Sequence, residues 1–94
     1  MSIRFGWDPR KARRNLQKHG IDFTEASTVF ADTLSITIPD PDPSVGEERW
    51  VTIGLSTRRR LLVVVHTDEG ETSRLVSARR ADPHERRKYE EGDT

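Results

Sequence analysis

The chain has 94 residues, of which 32% are apolar and 34% charged, and its net charge is zero. That length can enclose one modest core, and zero net charge does not match the high charge that accompanies disorder. The longest apolar run, Leu61 to Val65, falls far short of the ~18 residues of a membrane span. With no cysteine present, a disulfide framework, a zinc knuckle and a thiol nucleophile are all excluded.

The first residues, 3–7, alternate apolar and polar, which predicts a short strand with Ile3, Phe5 and Trp7 on one face. Asp8-Pro9 then reads as an N-cap with proline at the first helical position. The spacing predicts a helix from Pro9 to His19, stopped by Gly20, with Ala12, Asn15, Leu16 and His19 on one face. A shorter helix follows, capped by Asp22 or Thr24 and reaching Phe30, with Phe23, Ala26, Val29 and Phe30 inward. Residues 34–38 alternate again as a strand. Three prolines between 39 and 43 bar a helix or a central strand, so residues 39–46 read as an exposed acidic loop.

Residues 47–56 predict a strand with Val51, Ile53 and Leu55 on one face and Glu48, Trp50, Thr52 and Gly54 on the other. Thr57-Arg58-Arg59 is a turn, and the Arg58 to Arg60 run reads as solvated. Residues 61–67 are apolar on both faces, as a central strand requires. A hairpin turn at 68–71 leads to a last strand over 72–79, in which adjacent Leu75 and Val76 leave the facing of Arg74 and Arg79 open. Asp82-Pro83 with Glu85 predicts a capping box and a final helix to Glu91, with Tyr89 as its one large apolar residue. The order is β-α-α-β-β-β-β-α, an α+β arrangement whose third to fifth strands form an antiparallel meander.

Charge is unevenly placed. Residues 1–20 carry six Lys or Arg and one acid, and residues 21–50 carry seven acids and one Arg. A basic side can neutralise phosphates, although a dedicated nucleic-acid binder is usually basic overall. No phosphate-cradling glycine loop and no metal-ligand spacing occur, and no cofactor is expected. The Arg, Lys, Glu and His that remain are the tools of RNA cleavage without a metal. A base takes the 2′-hydroxyl proton, cations stabilise the phosphate charge, and an acid protonates the leaving oxygen. Trp7 and Trp50 offer rings on which bases can stack. Each candidate also has a plainer reading. Asn15 and His66 fit buried polar residues with satisfied hydrogen bonds, His19 fits the edge of the core, and Glu48 fits a solvated sheet position.

Several segments resemble the BrnT family of bacterial type II toxins. They are Phe5-Gly6-Trp7-Asp8-Pro9 with Lys11, Asn15-Leu16, Lys18-His19-Gly20-Ile21 with Phe23, Glu25-Ala26, Val29-Phe30, Ile53-Gly54-Leu55-Ser56, Ser77-Ala78-Arg79-Arg80-Ala81, and Glu85-Arg86-Arg87 with Tyr89-Glu90. The resemblance spans residues 3–91 and implies one BrnT-like toxin domain over 1–94. It further implies a RelE-like fold, with helices packed on an antiparallel sheet. The implied activity is metal-independent endoribonuclease cleavage that inhibits translation and arrests growth in the cytoplasm. The implied partner is a BrnA-like antitoxin with a ribbon-helix-helix part, so that DNA is met only through the antitoxin and no membrane is involved. Within that reading, His19 and Glu48 are the expected proton-transfer groups, and Arg74 and Arg79 the phosphate binders. Lys11 and Lys18 hold the RNA backbone, and Trp7 and Trp50 stack bases. The alternatives are a non-catalytic toxin-derived module acting with an antitoxin in operon autoregulation, and a plain nucleic-acid-binding domain.

Overall fold

The computed structural model describes residues 3–41 and 48–92. In chain order the elements are β1 (Arg4–Gly6), α1 (Pro9–His19), α2 (Phe23–Ser27), a 3-10 turn (Thr28–Ala31), β2 (Ile36–Pro39), β3 (Trp50–Leu55), β4 (Leu61–Glu69), β5 (Thr72–Arg80) and α3 (Pro83–Glu91). The five strands form one sheet in the order β1-β5-β4-β3-β2. β2 through β5 form an antiparallel meander, while β1 runs parallel to β5, so the sheet is mixed rather than wholly antiparallel.

The helix ends follow their capping chemistry. Asp8 accepts from the Arg10 N–H at 2.8 Å and Pro9 opens α1. Gly20 closes α1 at φ 72°, a left-handed conformation that glycine adopts without steric cost. Asp22 caps α2 through the Glu25 N–H, and Asp82 and Glu85 form the expected capping box on α3. α2 is shorter than the apolar spacing predicts. Ser27 and Thr28 donate their hydroxyls back to the carbonyls of Thr24 and Glu25, and the chain tightens into the 3-10 turn there.

Two strand limits also move. Asp32 accepts from the Leu34 N–H, which makes a turn and holds Leu34 out in solvent, so β2 starts at Ile36. Pro39 belongs to β2 and is tolerated because β2 is the sheet's edge. β3 begins at Trp50, so Glu48 is exposed ahead of the strand instead of on its face. Of the acidic loop expected over 39–46, residues 42–46 lie outside the described residues.

Each face of the sheet has its own apolar cluster. α1, α2 and the 3-10 turn cover Leu62, Val64, Leu75 and Ala78, joined by Ile21, Phe23, Ala26 and Val29. Gly54 lies beneath the 3-10 turn, where an added Cβ would meet Val29 at 3.1 Å and Ser35 at 3.0 Å. The opposite face carries Ile36, Ile53, Leu61 and Val63, with Val51, Ala81 and Tyr89 packed against them. α1 departs from its predicted inner face at Leu16, which is 50% exposed, while Asn15 is buried as expected.

Candidate functional site

The facing of β5 is settled by a bulge. Val65 pairs with Ser77 and His66 with Leu75, so Val76 is an extra residue with no partner on β4. Leu75 and Ala78, three apart, therefore both face the α1 side. In a regular strand Arg74 and Arg79 would lie on opposite faces, being five apart. Across the bulge they share the face that also carries α3: Arg74 lies opposite Thr67, and Arg79 opposite Val63.

On that face a cavity of about 300 Å³ opens beside α3. Its floor is Ile38, Val51, Ile53, Val63 and Val65, and its polar rim is Asp40, Arg79, His84, Glu85 and Lys88. Glu85 holds Arg79 in a two-pronged pair, Nη1 to Oε1 at 2.8 Å and Nη2 to Oε2 at 2.7 Å. The pair lowers the Glu85 carboxyl below its ordinary range and raises the Arg79 guanidinium. Glu85 is thus held as an anion that positions Arg79. His84 and Lys88, one helical turn apart, are the remaining proton-carrying groups of α3 on that rim. The apolar floor gives these charges a poorly screened setting.

A second concavity, also about 300 Å³, lies between α1 and the edge of β5. Lys11, Arg14, Asn15, Lys18, His19, Val76 and Ser77 line it, and no acid is among them. Beyond Arg74, β5 has no strand neighbour on this side, because β1 pairs only with Thr72 to Arg74. Asn15 takes the place of a strand there. Its amide donates to the Ala78 and Ile21 carbonyls at 2.8 and 2.9 Å, and its oxygen accepts from the Ala78 N–H at 3.0 Å. The predicted buried, backbone-bonded Asn15 is thereby realised, and it fixes the groove's two walls together. The groove meets the α3 face at Ser77, whose β4 partner Val65 forms part of the cavity floor.

A family model described as the ribonuclease toxin BrnT of type II toxin-antitoxin systems matches residues 7–85. The chain belongs to the BrnT family. Among solved structures, it is similar to the crystal structure of the Brucella abortus ribonuclease toxin BrnT. The TM-score is 0.62 at 21% identity, over 86% of this chain and 99% of that one. At that identity the likeness speaks for the fold, which is the α+β arrangement expected from sequence. No curated protein matches the chain by sequence. Membership of a type II toxin-antitoxin family implies an antitoxin as the partner.

The BrnT fold thus divides the residues expected from sequence. Arg74 and Arg79 share the α3 face of β5, but only Arg79 lines the cavity there; Lys11, Lys18 and His19 come together in the α1 groove. Glu48 lines neither cavity. Trp7 is half-buried, with its ring edge-on to Phe23 at 5.9 Å and packed on the first apolar cluster. Trp50 is half-buried on the α2 side of β3, on the same face as Thr52, and so points away from Arg79. His66 is the satisfied sheet residue expected: it bonds Thr52 through Nε2 and Asp68 through Nδ1, each at 2.8 Å, and is 2% exposed.

Two features escaped the sequence reading. Arg60 is not solvated like a turn residue. Its guanidinium forks onto Glu25, with Nε 2.9 Å from Oε2 and Nη2 on Oε1. Ser56 adds a hydroxyl bond to the same carboxylate at 2.7 Å. Glu25 is 4% exposed, and the Arg60 bond holds its carboxyl below the ordinary range. A lone acid on the buried side of a helix was the available signal. His84 is the second feature, and its i, i+4 spacing to Lys88 was the signal there. Among the described residues, no three His, Asp or Glu side chains converge as a metal site.

Proposed function

We propose that this BrnT-family chain is an endoribonuclease that cuts RNA without a metal ion on the α3 face of the sheet. The observation that carries the reading is the β5 bulge, which places Arg74 and Arg79 on one face. RNA enters along the α1 groove, where Lys11, Arg14 and Lys18 meet its phosphates, with His19 beside them. The 2′-oxygen attacks the adjacent phosphorus, and the bond to the 5′-oxygen breaks. The products are a 2′,3′-cyclic phosphate and a 5′-hydroxyl. His84 takes the 2′-hydroxyl proton, and Lys88 returns one to the leaving 5′-oxygen. Arg79, aimed by Glu85, stabilises the charge gathering on the phosphate oxygens, and Arg74 holds a neighbouring phosphate.

This assignment moves proton transfer from His19 and Glu48 to α3, because neither shares the cavity with Arg79. Base stacking on Trp7 and Trp50 also drops out, since the Trp7 ring packs on Phe23 in the first apolar cluster, Trp50 faces away from Arg79, and neither lines the groove or the cavity. Cleavage would inhibit translation, which sets the site of action in the cytoplasm. The neutralising partner would be a BrnA-like antitoxin whose ribbon-helix-helix part binds DNA.

A second reading, a non-catalytic module that serves operon autoregulation with the antitoxin, draws on one fact. The fork of Arg79 is already occupied by Glu85. Incubation of RNA with the purified chain in EDTA, beside a folded Arg79→Ala variant, decides between them. The ribonuclease reading expects cyclic-phosphate products from the parent alone. Intact RNA in both tubes, with antitoxin still bound, would favour the module.

A further inference from the structure

A third cavity lies on the far side of α3 from the proposed cleavage site, at the end of the sheet. It measures about 210 Å³ and is lined by Arg59, Arg60, Arg80 and Arg86, with Leu61 and Ala81. Four of the six lining residues are arginines, and no acid is among them. Arg60 is occupied by Glu25. Arg59, Arg80 and Arg86 have no side-chain partner among the described residues. Like charges gathered in a concavity repel one another, and the arrangement gains most when an anion enters it.

The backbone adds an independent observation. The β3–β4 connection is a three-residue hairpin loop: Ser56 accepts from the Arg59 N–H, and its own N–H bonds the Arg60 carbonyl. The third loop residue of such a hairpin sits in the left-handed region, where glycine is the easy choice. Here that residue is Arg59, at φ 62°, the one non-glycine residue with positive φ among those described. An arginine held in a disfavoured conformation on the wall of an arginine cavity reads as a binding feature retained at a stability cost.

We infer that this cavity binds a phosphodiester of the RNA backbone, as an anchor remote from the cleavage site. The inference rests on the ribonuclease reading. Guanidinium forks match phosphate oxygens in pairs, which favours phosphate over a point-charge role. Continuity favours RNA over an acidic protein segment. The first turns of α3 carry His84, Glu85 and Lys88 on the cleavage side and Arg86 on this side. A strand leaving the cleavage face around the start of α3 arrives at Arg86, Arg80 and Arg59.

The test measures binding of a single-stranded 2′-O-methyl RNA, which lacks the attacking hydroxyl, across a salt series. The proteins are the parent, Arg80→Ala/Arg86→Ala, Arg59→Gly, and a charge-matched control, Arg13→Ala/Arg87→Ala. The double pocket variant should lower the log–log salt slope by about 1.4 and weaken binding about tenfold at 0.15 M salt. Cleavage of ordinary RNA should show a raised KM with kcat unchanged. Arg59→Gly should lower the slope by about 0.7 while raising the Tm by about 4 °C, a pairing that a purely structural arginine would not give. The control should keep most of the parental slope. Equal losses in the control and pocket variants would overturn the inference, as diffuse charge would then suffice. So would pocket variants that bind RNA like the parent but lose affinity for poly-glutamate, since the cavity would then belong to an acidic protein segment. If the parent cuts RNA and the pocket variants match it throughout, the anchor alone fails. If the parent neither binds nor cuts RNA, the ribonuclease reading falls and takes the anchor with it.

Discussion

On one face of the sheet, α1, α2 and the 3-10 turn seal Leu62, Val64, Leu75 and Ala78 away from water. On the other, α3 covers a smaller cluster around Leu61, Val63 and Ile53 and leaves a cavity rimmed by Arg79, His84 and Lys88. The closed face spends its polar groups on itself, as Asn15 does on Ala78 and Glu25 on Arg60. The open face also pairs Arg79 with Glu85, but it keeps His84 and Lys88 on the rim of a cavity that a ligand can reach. The difference teaches where to look for stability and where for chemistry. Stability should fall when the closed face is cut, and activity should fall, with the core intact, when the open face is.

The largest expected effect is on the closed face. Phe23 is 1% exposed and is among the largest fully buried side chains. Phe23→Ala should cost about 3–5 kcal/mol in a urea titration, a large share of what holds a small domain folded. A loss below ~1 kcal/mol would break the contrast, by showing that the closed face is not the main core.

On the open face, Arg79→Ala should lower kcat by about 100-fold, with a far smaller change in the urea midpoint than Phe23→Ala gives. Arg79→Lys should recover little, because an ammonium keeps the charge but loses the fork onto Glu85 and onto phosphate. A midpoint shift as large as that of Phe23→Ala would mean that Arg79 serves mainly to hold α3 down.

The two faces were not equally legible in the sequence. α1 and α3 were readable to the residue, because Asp-Pro caps and a closing Gly20 are local signals. The closed core was readable too, from the run Leu61 to Val65 and from Phe23, Ala26 and Val29. The open face was not, since its layout hangs on one extra residue in β5. A bulge at Val76 leaves no composition mark: Leu75 and Val76 are simply two apolar residues in a row. The register that reveals it belongs to the pairing with β4. The Glu25–Arg60 pair was hidden for a similar reason. Thirty-five positions separate its partners, and a run of three arginines looks solvated until the fold brings a buried carboxylate to one of them.

That pair gives the next prediction. Its carboxyl is depressed by the Arg60 bond, with Ser56 adding to the effect. A depressed carboxyl contributes stability that is present above its unfolded pKa, about 4.3, and that is lost as pH falls through the lower folded value. Glu25→Gln should therefore cost about 2 kcal/mol at pH 7. Below pH 4 its stability curve should converge on that of the parent. Parallel acid limbs would show that Glu25 is not the group whose protonation loosens the closed face.

The smallest effect tests what fastens α3 to the open face. Tyr89 donates its hydroxyl to Asp32 Oδ2 at 2.6 Å, and Asp32 also accepts the Leu55 and Leu34 N–H groups. Burial, with the bond and the negative charge of Asp32, pushes the Tyr89 hydroxyl up to about 12. The sign follows from which form donates. Below the unfolded tyrosine value, about 10, the neutral hydroxyl contributes in full; as pH rises through the folded value that contribution is lost. Tyr89→Phe should cost about 1 kcal/mol at pH 7 and should lack the extra fall in stability that the parent shows between pH 10 and 12. Lysines titrate in the same range, so the difference between the two proteins is the quantity to read. Hydrogen exchange gives the sharper version. If Tyr89 fastens α3 alone, the variant should exchange faster in Pro83–Glu91 while β4 amides keep their protection. Cleavage should then fall as well, because His84 and Lys88 are carried on α3. Faster exchange throughout β4 would mean that the two faces unfold as one unit, and that the open face is no softer than the closed one.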